Sequence, residues 1–257
     1  MGKTIQSLER GLVILEILGK TKKPLLLNEI TEHFSIDRSS VFRLISTLVQ
    51  NGFVTQNPDT KKYTLGYRIL ELSGAFSDHS YIEKLIRPIM ERVVAETRQN
   101  THLAILDNHE VVFLAVEQPN DPITLNISIG TREPSTATAL GKSLLAFHAP
   151  EKLDDILSGV TLKKYTPKSI TSIPGLKKEL GKVRKIRLAV DDEEYRSGIV
   201  CFAAPVFNHL GEVQYSIGIS GLRDAIKPFT GKFGEIVRLS GIEASEILGY
   251  KPAGSEQ

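Results

Sequence analysis

A few stretches of this chain carry side chains whose type and spacing could do chemistry. Gly141-Lys142-Ser143 ends like a phosphate-binding loop, in which glycine amides cradle phosphate and a lysine neutralises it. That loop needs a glycine five residues before Gly141, and Thr136 stands there, so the pattern fails. Cys201 with a nearby histidine could form a nucleophile and its base. It lies inside the apolar run "IVCFAAPVF", the ordinary setting of a small buried thiol. His33, His79, His102, His109, His148 and His209 show no metal-binding spacing, so no catalytic metal and no cofactor are expected. "VDDEEY", from Val190 to Tyr195, is an acidic cluster read as a loop, one carboxylate of which could turn inward to hold a ligand.

A different chemistry is offered by "IDRSSVFRLISTLVQNGFVTQNPDTKKYTLG". Val41, Leu44, Ile45 and Leu48 repeat at helical spacing. Asp37 can cap the free amides before them, and Gly52 can close the helix after them, which predicts a helix over Arg38–Asn51. Ser39, Arg43, Ser46 and Gln50 fall on the opposite face, all of them hydrogen-bonding and none acidic. Short hydroxyls let a helix approach phosphates and base edges, and arginine can fork onto guanine. A shorter helix carrying Leu27, Ile30 and Phe34 precedes it across a tight turn, the order of a helix-turn-helix. A hairpin follows, Phe53–Gln56 and Tyr63–Leu65, turning at Asn57-Pro58-Asp59-Thr60 with Lys61 and Lys62 beside the tip. Polar helix and basic wing together predict a winged helix-turn-helix that docks on double-stranded DNA. The candidate DNA-binding residues are Arg38, Ser39, Ser40, Arg43, Ser46, Lys61 and Lys62.

The charge balance agrees with that placement. The chain has 257 residues and a net charge of only +2. Residues 1–66 hold nine lysines and arginines against six acids, and the remainder 23 against 24. The basic excess therefore sits in the segment with the helix-turn-helix. A single cysteine excludes an internal disulfide framework. No apolar run approaches a membrane span, and Glu9 and Arg10 precede any long apolar stretch, so neither membrane nor signal peptide is expected and the predicted place is the cytoplasm.

The elements that must position these groups follow from periodicity. "TIQSLERGLVILEILGK" is a first helix with a main stripe of Ile5, Leu8, Leu12 and Leu15, extended by Leu18; Val13, Ile14 and Ile17 widen it beyond one face, a surplus suited to a dimer partner or to burial in its own domain. "YRILELSGAFS" reads as a linker helix, and "YIEKLIRPIMERVVAETRQN" as a longer helix kinked at Pro88. "HLAILDNHEVVFLAVE" is a hairpin, "ITLNISIG" a half-buried strand, "TATALGKSLLAFHA" a helix and "PGLKKELGKVRKI" an exposed helix. "GIVCFAAPVFNHLGEVQYSIGISG" is a second hairpin, and "FGEIVRLSGIEASEIL" a closing helix. The fold class is α+β: a winged helix-turn-helix over residues 4–66, then residues 67–250 with a linker helix and a mainly antiparallel sheet flanked by helices.

The winged helix, the linker helix, "TATALGKSLLA" and "DDEEYRSGIVCFAAPVFNHLGEV" with its later "ISG" resemble the IclR family of bacterial transcriptional regulators. The resemblance runs from about Thr4 to Tyr250. It implies a DNA-binding domain joined to a GAF-like effector domain, a homodimer or homotetramer, no enzymatic activity, and repression or activation of a catabolic operon in response to a small metabolite. It further implies an effector pocket of Thr138, Ala139, Asp191, Ile199, Cys201, Gly218 and Ser220. A small organic or sugar acid suits those residues. An aromatic effector is the second choice, because Gly218 stands where many members carry a hydroxyl residue and so leaves room. Two other readings compete: a metabolite-processing enzyme tethered to DNA, and an architectural DNA-binding protein with no ligand.

Overall fold

The computed structural model describes residues 4–21, 23–74, 77–121 and 125–251. The polar tail "PAGSEQ", Phe76 of the linker pattern, and Ile123 and Thr124 of "ITLNISIG" lie outside them. The chain divides into two compact units, Met1–Ser80 and Tyr81–Gln257.

The first unit contains α1 (Gln6–Thr21), α2 (Leu27–Thr31), α3 (Arg38–Gln50), β1 (Val54–Gln56), β2 (Tyr63–Leu65) and α4 (Arg68–Gly74). Its core joins Ile14 and Leu18 of α1, Ile30 of α2, Val41 and Ile45 of α3, Val54 and Tyr63. Burial in α1 differs from the stripe expected there. Ile5, Leu8 and Leu12 are exposed, and Ile14 and Leu18 point inward. This helix is apolar on more than one side, so its period does not select the buried face; contact with α3 and the wing does. The wing pairs Val54 with Leu65 and Gln56 with Tyr63. Leu25 extends it by bridging to Tyr63, N–H to carbonyl in both directions at 3.0 and 2.7 Å. α4, assigned from sequence to the second domain, groups with the first unit, where Arg68 N–H donates to the Gly52 carbonyl.

The second unit follows α5 (Ser77–Thr97), which runs through Pro88. Among the described residues its strands are β3 (Asn100–Asp107), β4 (Glu110–Glu117), β5 (Arg132–Pro134), β6 (Ala189–Asp192), β7 (Ile199–Phe207) and β8 (Val213–Leu222). They form one antiparallel sheet in the order β5-β4-β3-β8-β7-β6. Its helices are α6 (Ala139–Leu145), α7 (Pro150–Leu157), α8 (Ile173–Ile186), α9 (Arg223–Ile226) and α10 (Thr230–Ile247).

Strand alternation sends side chains to both faces. Val200, Phe202, Ala204 and Val206 of β7 pack with Ile86, Met90 and Val93 of α5 and Phe233 and Val237 of α10. Cys201 and Ala203 face the other way, toward Leu140 and Leu145 of α6, Leu153 of α7 and Leu176, Leu180 and Val183 of α8. The result is a helix–sheet–helix sandwich.

Three sequence expectations change. Residues 125–128 form no strand, and β5 fills that edge instead. α8 is amphipathic rather than simply exposed, because Leu176, Leu180 and Val183 are buried. Asp191 and Asp192 belong to strand β6 rather than to a loop: β7 supplies a partner for an acidic segment with no strand-like composition.

α6 is buried over its whole length and is held tightly at Gly141. A Cβ on Gly141 would lie 2.2 Å from both Cα and O of Ser135. Gly141→Ala should therefore cost about 1–3 kcal/mol of overpacking. Gly181→Ala in α8, where a Cβ meets nothing within 4 Å, should instead gain up to about 1 kcal/mol. Urea unfolding midpoints of the two variants check both signs.

Candidate functional site

The surface expected to meet DNA is organised by Asp37. Its carboxylate accepts from Ser40 N–H at 2.8 Å, from Ser39 Oγ at 2.5 Å and from Ser40 Oγ at 2.8 Å. The two serines hold its carboxyl down at about 2. Arg43 Nη2 donates to Ser40 Oγ at 3.4 Å. The hydroxyls expected to contact DNA thus donate to the acid that caps the helix and spread its charge. Arg38, Ser39 and Arg43 are exposed, and Ser40 and Ser46 half-buried. On the wing, Asn57 Oδ1 accepts from the amides of Asp59 and Thr60. Lys61 closes the turn at φ +55°, exposed, with Lys62 half-buried beside it.

The second unit contains a small cavity of about 40 Å³ that opens to solvent. Thr138, Ala139, Asp191, Ile199, Cys201 and Ser220 all line it. Register explains the convergence: Asp191 pairs with Cys201 across β6–β7, and Cys201 with Ser220 across β7–β8. Thr138 caps α6, accepting from Gly141 N–H at 3.2 Å. Gly218 is not among the lining residues. It pairs with His102 on one side and Ala203 on the other, and a Cβ there would sit 2.5 Å from the Phe202 carbonyl oxygen. The room expected at Gly218 does not exist.

Several lining groups escaped the sequence reading: His102, Phe113, Glu133, Tyr195 and Arg196. His102 follows Asn100 and Thr101 at the polar start of β3, a pattern with no signal of its own. Tyr195 ends the acidic cluster and Arg196 follows it directly, which was the one available hint. Arg196 Nη2 donates to Glu133 Oε1 at 3.0 Å, and its guanidinium lies 5.0 Å from the Tyr195 ring. His102 Nε2 lies 2.7 Å from Ser220 Oγ, and its Nδ1 has no hydrogen-bond partner among the described residues.

Burial sets the charge states. It pushes the His102 imidazole down to about 3, so the ring is neutral. It raises the Glu133 carboxyl against the pull of Arg196. It raises Asp191 to about 7, opposed by the Glu194 amide and by Lys142. It also lifts the Cys201 thiol, helped by the charges of Asp191 and Glu133. A histidine this weakly basic suits neither general-base work nor activation of Ser220, and a protonated thiol is no nucleophile. The cavity offers hydrogen bonds of adjustable sense beside an apolar wall of Phe113, Ile199 and Ile219, the composition of a binding site.

Comparison with known proteins covers both units. The family model for the bacterial transcriptional regulator IclR C-terminal domain matches residues 75–245, and that for the IclR helix-turn-helix domain matches residues 7–58. The chain belongs to the IclR family. It is similar to the HTH-type transcriptional regulator XynR of Escherichia coli K12, 30% identical over 247 residues, covering 96% of this chain and 98% of that one. The crystal structure of the Thermotoga maritima IclR superposes with a TM-score of 0.79 at 29% identity, over 96% of this chain and 100% of the other. An IclR homolog from Microbacterium hydrocarbonoxydans, solved in complex with 4-hydroxybenzoate, shares the fold with a TM-score of 0.81 at 23% identity, over 94% of this chain and 98% of that chain. This IclR-family chain is thus a transcriptional regulator with a helix-turn-helix domain and a C-terminal effector domain. Among its described residues no helix is long and apolar enough to cross a membrane.

Asp191 makes stability depend on pH. Below about pH 4 folded and unfolded chains both carry its proton. Between there and about 7 only the folded chain retains it, so this group's contribution to stability falls as pH rises, by at most about 1.4 kcal/mol per unit, and levels off above. Asp191→Asn can keep the oxygen that accepts from Glu194 and Tyr195 N–H but cannot titrate. The variant should gain on the parent steadily from pH 4 to 7 in urea unfolding; a gap that does not change with pH would refute the assignment.

Proposed function

We propose that this protein is a metabolite-responsive regulator that binds double-stranded operator DNA as a homodimer or homotetramer in the cytoplasm. Its occupancy of DNA is set by a small hydroxylated acid in the cavity of the second unit. The observation that supports this reading is the convergence of Asp191, Ser220, Thr138, His102 and Arg196 on one cavity. Arg196 stands half in solvent and can take a carboxylate by a forked contact. Asp191, Glu133 and Ser220 accept or donate toward hydroxyls, and Ile199 and Cys201 cover the carbon skeleton. The closed space at Gly218 removes the argument for a bulky aromatic ligand. Exposed Ile5, Leu8 and Leu12 on α1 are apolar surface that a second copy would cover.

The effector acts through differential affinity for two arrangements of the protein, since a ligand shifts an equilibrium by no more than that. The helix-turn-helix makes the DNA contact. Arg38, Arg43 and the wing lysines supply it, with Arg43 the side chain best placed for a base edge.

Two measurements test the proposal. Arg43→Ala should weaken operator binding by about 1–3 kcal/mol, read by titration against a labelled operator duplex. A panel of short hydroxy acids should contain members that raise the melting temperature of the parent but shift Ser220→Ala and Arg196→Gln far less, while DNA binding without effector is unchanged in both. If the same acids stabilise all three proteins equally, the ligand binds elsewhere.

A further inference from the structure

Residues 163–187 carry nine lysines and arginines and a single acid, Glu179, although residues 67–257 taken together hold 23 bases and 24 acids. α8 is the ordered centre of this run. Its inward face is Leu176, Leu180 and Val183. Lys178, Lys182 and Lys185 repeat at i, i+4 and i+7 and so stand together on the opposite side, all exposed. Lys182 pairs with Glu179 of its own helix at 2.7 Å. Lys178 and Lys185 have no ion-pair or hydrogen-bond partner among the described residues.

Helix stability explains only part of this pattern. Arg184 and Lys185 lie in the last turn, where cations favour the helix dipole, but Lys178 and Lys182 are too far from that end to benefit. Gly181 sits beside the stripe with open space where a Cβ would be. A glycine inside a helix costs about 1 kcal/mol relative to alanine, and no contact within the protein requires one here. A bare backbone at that point admits close approach by something outside.

We propose that the outward face of α8 is a second DNA-contacting surface, which takes the phosphate backbone of duplex DNA without reading sequence. From Lys178 to Lys185 the helix rises about 10 Å, and a duplex presents about six phosphate charges over that length. Ile186 is the one large apolar side chain exposed on α8, too little for the apolar or aromatic centre a protein interface is built around. The chemistry is a row of point charges, which suits a polyanion.

The test uses the full-length protein and a long duplex of mixed sequence, with affinity measured across a series of salt concentrations. Substituting Lys178→Gln, Lys182→Gln and Lys185→Gln together should flatten the slope of log affinity against log salt by about 2–3 per protomer, at about 0.9 for each phosphate no longer neutralised. Lys61→Gln with Lys62→Gln on the wing should flatten it independently, and the two effects should add. Gly181→Glu, which sets an acid beside the lysines, should weaken binding by itself. Unchanged urea midpoints confirm that each variant is folded. A triple variant that keeps the parent slope while the wing variant loses its share overturns this proposal and leaves the helix-turn-helix reading standing. So does a triple variant whose only change is loss of self-association, which would mark the face as a contact between copies.

Discussion

The effector domain is organised around a lysine that never meets water. Lys142 is fully buried in α6, and its ammonium donates to the Val190 carbonyl and to Glu194 Oε1, both at 2.5 Å. Removing two charges from water costs several kcal/mol per ion unless geometry is tight and the remaining donors are met. Those partners lie within β6 and in the turn that follows it. Lys142 therefore fastens the helix on one side of the cavity to the segment, Asp191 to Arg196, that supplies the other side. Its neighbours in the same motif do related work. Gly141 lets the helix press against the Ser135 backbone. Ser143 Oγ lies 2.5 Å from Ser216 Oγ on β8. A motif that fails as a phosphate loop is instead a three-point attachment of helix to sheet.

From that attachment the electrostatics of the cavity follow. Asp191 is buried, close enough to Lys142 to feel its charge and capped by two amides, yet its carboxyl still stands near 7. Glu133 is raised in the same way beside Arg196. The Asp191 carboxyl near its titration point and the neutral His102 imidazole can each present either a donor or an acceptor, so the site can reorganise its hydrogen bonds around an incoming hydroxyl or carboxylate. The same burial that gives this adaptability lowers His102 and raises Cys201. Those two shifts leave neither an imidazole base nor a thiolate in the cavity.

In the DNA-binding unit the corresponding constraint is a carboxylate. Asp37 caps α3, yet a bare acid at the tip of a helix would repel any phosphate brought to it. Ser39 and Ser40 resolve the conflict by donating to it. Their hydroxyls were legible as polar groups on the outer face of a helix. Their bonds to Asp37 were not, because the direction of a hydroxyl hydrogen bond depends on side-chain rotamers that sequence spacing does not fix.

Sequence by itself determined what local physics encodes. Periodicity placed α3, the wing, both long hairpins of the sheet and the closing helix, since each buries one face and shows the matching repeat. The uneven charge located the DNA-binding unit, and motifs shared with a known family pointed to six residues that do line the cavity. Only the tertiary structure decided the rest. It buried Ile14 and left Leu8 and Leu12 exposed on a helix that is apolar on more than one side. It made a strand of Asp191 and Asp192 by giving them β7 as a partner. It closed the space at Gly218 with a backbone carbonyl from the neighbouring strand. It brought His102, Glu133 and Arg196 together from separate elements. Each of these outcomes depends on cross-strand register and on which surfaces meet. Those are properties of residues far apart in the chain, and no local window of sequence contains them.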